Sequence, residues 1–439
     1  MADAAVEKLS HRRVLRIAVP VVLSNATVPI LGAVDTGVVG QMGLAAPIGA
    51  VGIGAIILSA FYWVFGFLRM GTVGLTAQAD GQGDQREVAA MLTRALMIGL
   101  GAGVVIIALQ GLLFWAAFMV SPASPQVEEL ARQYMALRVW SAPAAIALYG
   151  ITGWLIAQER TRAVLVLQLW MNGLNILLDL WFVLGLGWGV QGVAFATVIA
   201  EWSGLALGLW FCRAAFWLPA WRDPVQVFDR IRWVRMMGVN TDILIRSLLL
   251  EAIFVSFMFF GAGQGDVTLA ANQVLLQFLM IASYALDGFA FSAEALVGKS
   301  TGARDPQRLR RAALLASGWG MAAAGLLALV FAVAGGAIVD TMTTSDPVRA
   351  AARIYLPYLV GVPVLACAAF MLDGIFVGAT RSRDMRNMMA VSFGVYALCV
   401  AVLLPVLGNH GLWLAMLISF VARAITLALR YPALERAAA

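Results

Sequence analysis

Two aspartates, Asp35 and Asp179, stand inside long apolar runs of this chain. A carboxyl at bilayer depth is costly and is usually kept for holding an ion or for internal pairing. Asn175 precedes Asp179 by one helical turn, on the same face. Asp35 falls about 20 residues into the first run and Asp179 about 16 into the fifth, while Thr197 falls about seven into the sixth, which enters from the other side. All four side chains therefore reach the outer half of the membrane. Burial and mutual repulsion both favour a proton on one of two neighbouring carboxyls. The same four oxygen-bearing groups could instead coordinate Na+. Either ion entering from outside gains about 2.3 kcal/mol per 100 mV of potential, enough to drive export. The alternative is that the two acids only bond helices together, although acids at matched depth make poor glue without a basic partner.

The second half of the chain carries Arg246, Glu251, Asp287 and Asp373 at middle to inner depth. A second ion site and a structural charge network explain these four equally well. Asp242 and Arg246 stand one turn apart and are expected to pair with each other. Pro20 and Pro29 interrupt the first run ahead of Asp35. Each removes a backbone hydrogen bond and permits a bend, so Pro20 is a candidate hinge, with a static packing kink as the alternative. Two Gly-Gln-Gly-Asp strings, 81–84 and 263–266, spell an intramembrane aspartyl protease motif, but both fall in polar turns and no Tyr-Asp partner exists. No catalytic constellation is present, and no cofactor is expected.

The elements that must position these groups follow from composition. Of 439 residues, 62% are hydrophobic and only 12% charged, with a mean hydropathy of +0.87. A water-soluble globule has too little interior to hide that apolar surface, so the solvent is lipid. Three widely spaced cysteines and two histidines exclude a disulfide framework or a zinc module. Twelve runs are long enough to cross a bilayer as helices: 15–39, 48–73, 91–120, 130–157, 163–186, 189–213, 238–262, 268–297, 310–338, 350–379, 387–407 and 410–431. Of the 30 basic residues, 23 fall in the two ends and in alternate connections. The positive-inside rule then makes both termini cytoplasmic. The net charge of +6 reflects topology and gives no nucleic-acid footprint.

The chain is written twice, at an offset near 221. Gly153 to Arg162 lies over Gly374 to Arg383, and the string 81–84 lies over 302–305. Gly189 and Gly192 lie over Gly408 and Gly411. The expected organisation is a cytoplasmic amino terminus, 1–14, a six-helix lobe, 15–213, a basic connection, 214–237, a second six-helix lobe, 238–431, and a tail, 432–439. An even number of spans separates the copies, so the lobes are parallel repeats, which commonly rock about a central site.

Several segments, in this order, resemble the multidrug and toxic compound extrusion (MATE) family, and within it the DinF-like branch. They are Asp35-Thr36-Gly37 with 40–45, then 67–78, 175–179, 286–298 and 372–381, and the likeness spans about residues 10 to 432. It implies an all-α membrane protein built as a V-shaped pair of six-helix bundles in a bacterial inner membrane. It also implies alternating-access export of amphipathic, often cationic organic compounds in exchange for H+ or Na+. Family members place coupling at positions matching Asp35, Asn175, Asp179 and Thr197, and a bend at the one matching Pro20; another branch uses acids matching Glu251 and Asp373. The expected partners are a small organic substrate and the bilayer, with a monomer as the working unit and no nucleic acid. A lipid-linked-precursor flippase shares this architecture, and a non-transporting scaffold is a third reading.

Overall fold

The computed structural model describes residues 9–41, 45–120 and 124–438, apart from the side chains of Ile30, Ala33, Asp35, Thr36, Ala45 and Val120. Among the described residues there are helices and turns and no strand. The first expected span is two helices, α1 (His11–Ala26) and α2 (Val28–Gly40), parted at Thr27. Pro29 sets the break, since a residue without an N–H fits the first turn of a new helix and not the middle of an old one. Pro20 stays inside α1, buried.

Among the described residues, eleven further helices are long and apolar enough to cross a membrane. They are α3 (Ala46–Gly81), α4 (Gln85–Val120), α5 (Pro125–Ala157), α6 (Thr161–Gly185), α7 (Gly189–Phe211), α8 (Arg230–Ala262), α9 (Asp266–Gly302), α10 (Pro306–Met342), α11 (Asp346–Gly378), α12 (Ser382–Leu407) and α13 (Asn409–Ala437). The chain is thus a multi-pass membrane protein. It divides into two compact units: residues 1–22, 77–83 and 235–439 form one, and 23–76 with 84–234 the other.

The backbone repeats as the sequence does. Gly83 and Arg304, 221 positions apart, both adopt a left-handed conformation (φ 74° and 53°). Each is followed by an aspartate that caps the next helix: Asp84 Oδ1 accepts from the Glu87 amide at 2.9 Å, and Asp305 Oδ1 from the Arg308 amide at 2.8 Å. Glu159 and Thr380 form another left-handed pair (57° and 52°), and Gly189 and Gly408 a third (56° each). In the first unit a Cβ on Gly81 would meet the Lys299 carbonyl at 2.1 Å, and one on Gly302 the Gln78 carbonyl at 2.0 Å. These contacts are reciprocal in the repeat and need glycine on both sides.

The first unit is centred on an aromatic core. Phe257 packs edge-on to Trp413 at 4.7 Å, and Phe278 to Phe331 at 5.0 Å. Asn272 and Asn409 exchange bonds of 2.7 and 2.9 Å, and the Trp413 indole donates to Asn272 Oδ1 at 2.9 Å. Those polar groups are satisfied inside the core and tie α9 to α13. In the second unit Arg94 is fully buried. It donates to Glu87 and to the carbonyls of Gln226 and Val227, anchoring the connection between α7 and α8 onto α4.

Candidate functional site

In the second unit α6 carries a polar stripe. Gln168, Asn172, Asn175 and Asp179 recur at helical spacing and so share one face. Gln168 Nε2 donates to Asn172 Oδ1 at 2.9 Å, and Asn172 Nδ2 donates to Thr27 Oγ1 at 2.9 Å. Asn172 also reaches the Thr27 carbonyl at 3.3 Å, so it satisfies the backbone at the α1–α2 break. One turn on, Asn175 Nδ2 donates to Thr197 Oγ1 at 3.1 Å, and Thr197 in turn donates to the Val193 carbonyl at 3.1 Å. Asn175, Asp179 and Thr197 are 2%, 0% and 7% exposed. Immediately after Asp179, α6 widens into a π-helical turn, Leu180–Gly185, a distortion that often marks functional positions.

The structure therefore joins Asn175 to Thr197 and sets Asp179 one turn further along. Asp35 lies on α2, and its side chain falls outside the described residues. Gln168, Asn172 and Thr27 were missed by sequence reading, although the spacing of the stripe was legible in the chain.

One turn after Thr197 on α7 comes Glu201, with a carboxylate oxygen 3.9 Å from Arg138 Nη2. Arg138 Nη1 donates to the Tyr134 hydroxyl at 3.0 Å. Its span begins at Pro125, so Arg138 is about 20 Å along it and its side chain is largely buried.

The first unit disposes its charges differently. Arg246 on α8 donates to Asp373 on α11, and Arg423 on α13 approaches the same carboxylate oxygen at 3.6 Å. The expected Asp242–Arg246 pair does not form. Asp242 accepts from Arg386 at 2.6 Å and from Ser382 at 2.8 Å, because both lie at the start of α12 beside it. Glu251 is exposed and Asp287 half-buried, whereas Arg246 and Asp373 are buried and paired. Among the described residues, no group of three His, Cys, Asp or Glu is arranged to hold a metal.

The MatE family model matches the chain twice, over residues 20–181 and 243–403. The chain belongs to the MatE family. It is 39% identical to DNA damage-inducible protein F of Escherichia coli, over 95% of this chain and 91% of that protein. A probable multidrug resistance protein NorM of Synechocystis sp. is 25% identical, over 83% of this chain and 79% of its own length. The Vibrio cholerae MATE transporter VcmN in the bent form shares the fold at a TM-score of 0.85 and 19% identity, with 98% of this chain and 97% of that chain covered. As a MatE family member the chain is a transporter and not an enzyme. The two matches start 223 positions apart, within two of the 221-residue spacing of the backbone repeat.

Proposed function

We propose that this MatE transporter is a secondary antiporter that exports amphipathic, cationic organic compounds in exchange for H+ or Na+. It would work as a monomer in a bacterial inner membrane, with both termini cytoplasmic and lobes 15–213 and 238–431 alternating in access. Coupling would reside at Asp35, Asn175, Asp179 and Thr197, and Pro20 would bend α1. The observation that carries this reading is the Asn175–Thr197 hydrogen bond, with the fully buried Asp179 one turn away. A carboxyl in such a place changes its preferred neighbours when it gains or loses a cation. A site of this kind can bias two conformations, provided the ion binds them unequally.

The test uses purified protein in vesicles, a pH gradient or a Na+ gradient imposed separately, and a fluorescent cationic dye. Wild type should move dye under one gradient, and Asp35→Asn or Asp179→Asn should reduce that flux at least about tenfold without loss of insertion. Unchanged flux in both variants refutes the assignment.

A further inference from the structure

The first unit holds a buried charge imbalance that cation coupling does not use. Arg246 and Arg423 share a single carboxylate, Asp373, and the three side chains are 11%, 3% and 10% exposed. Two guanidiniums and one carboxylate leave one excess positive charge, and among the described residues no second acid pairs with either arginine. A buried ion left without a counter-charge is strongly disfavoured.

The hydrogen-bond inventory makes the same point. Two guanidiniums present about ten N–H donors. Arg246 donates to Asp373, and among the described residues the other hydrogen bond of the two arginines runs from Arg423 Nη1 to a sulfur, Met389 Sδ, at 4.0 Å. The Nε of Arg246 and the Nε of Arg423 are both buried with no partner. The plane of Arg423 is meanwhile held by rings, with its Cζ 5.4 Å from the Phe420 centroid and 5.7 Å from that of Phe370. It is a fixed fork with open donors.

We infer that the Arg246–Asp373–Arg423 triad is a binding site for an oxyanion headgroup, a carboxylate or a phosphate. Planar guanidiniums present paired donors that match paired oxygens, which favours an oxyanion over a halide. Asp373 orients Arg246 and competes with the incoming anion, so the site binds reversibly. In this chain Asp373 is therefore not a cation ligand. The anion is supplied either by an amphipathic acid, carried in addition to the cationic compounds proposed above, or by the headgroup of an acidic lipid. The inference stands apart from coupling at Asp179, and its test reads binding and not transport.

The full chain in neutral detergent is titrated with a dansyl-tagged undecanoic acid and, separately, with its methyl ester, following energy transfer from tryptophan. Wild type should bind the acid at least about tenfold more tightly than the ester. Arg423→Gln should erase that preference, and Asp373→Asn, which removes the competing carboxylate, should strengthen acid binding by about three- to tenfold. Equal binding of acid and ester by wild type overturns the inference, as does an Asp373→Asn variant that binds the acid no more tightly. If Arg423→Gln is not monodisperse, the Asp373→Asn result alone decides. In nanodiscs of phosphatidylcholine, competition by added phosphatidylglycerol identifies lipid as the source of the anion. Acid binding that this lipid leaves unchanged identifies a carried acid.

Discussion

Positions 175, 179 and 197 of the amino-terminal half hold an amide, a carboxyl and a hydroxyl, buried together around one hydrogen bond. Their counterparts in the repeat, at offsets of 221 and 219, are Tyr396, Val400 and Met416, which belong to the hydrophobic core of the other half. The charged triad of the carboxy-terminal half inverts the pattern, since Asp373 and Arg423 fall over Thr152 and Gly204. One backbone has thus been given two interiors, polar at one place in the first copy and at another in the second. Duplication supplied the helices, and divergence confined each chemistry to one copy. The cation site proposed beside the Asn175–Thr197 bond and the arginine pair in the other half are physically compatible because neither charge needs the other.

The largest effect should come from erasing that difference. Asp179→Val, which gives 179 the residue found at 400, should bring ion-driven dye flux down to that of empty vesicles while the protein remains monodisperse. Gradient-driven flux that persists would mean that the polar interior of the first copy is structural. The reverse exchange, Val400→Asp, buries a carboxyl in a core of Phe257, Tyr396 and Trp413 with nothing provided for it. It should destabilise the protein by about 3–5 kcal/mol, read as a fall in the thermal midpoint in detergent.

Two amides sharpen the comparison at smaller scale. Asn272 is fully buried and serves Asn409 and Trp413 together, so Asn272→Ala strands several polar groups and should cost about 1–3 kcal/mol. Asn175 donates to Thr197, whose own hydroxyl keeps a backbone carbonyl as partner, so loss of that bond in Asn175→Ala should cost about 0.5–1.5 kcal/mol. Thermal melting of the two variants side by side measures the ratio. An Asn175→Ala cost equal to that of Asn272→Ala would assign Asn175 a structural role first.

Much of this was legible in the chain. Hydropathy gives the spans because lipid tolerates only internally bonded backbone, and helical spacing alone puts Asn175 and Asp179 on one face. What spacing does not give is the partner across helices. Arg246 looks toward Asp242 when only its own helix is considered, yet it reaches Asp373, more than a hundred residues away, while Arg386 takes Asp242. Glu201 likewise faces Arg138 of another helix, a pairing that spacing along one helix does not show. The break at Thr27 was readable from Pro29, but the side chain that satisfies it, Asn172, belongs to another helix.

The smallest effect tests the backbone identity on which the comparison rests. Gly83 and Arg304 occupy the same left-handed turn of the repeat, before the capping residues Asp84 and Asp305. A Cβ at 83 would meet nothing within 4 Å, so Gly83→Ala introduces only conformational strain and should destabilise by about 1 kcal/mol. Arg304 already bears that strain and its side chain is exposed, so Arg304→Gly should be stabilising by about 0.5–1 kcal/mol. The two shifts in thermal midpoint should have opposite signs and similar size, of about 1–2 °C each. If both substitutions destabilise, Arg304 makes a contact that its copy lacks, and the two halves have diverged in backbone as well as in interior.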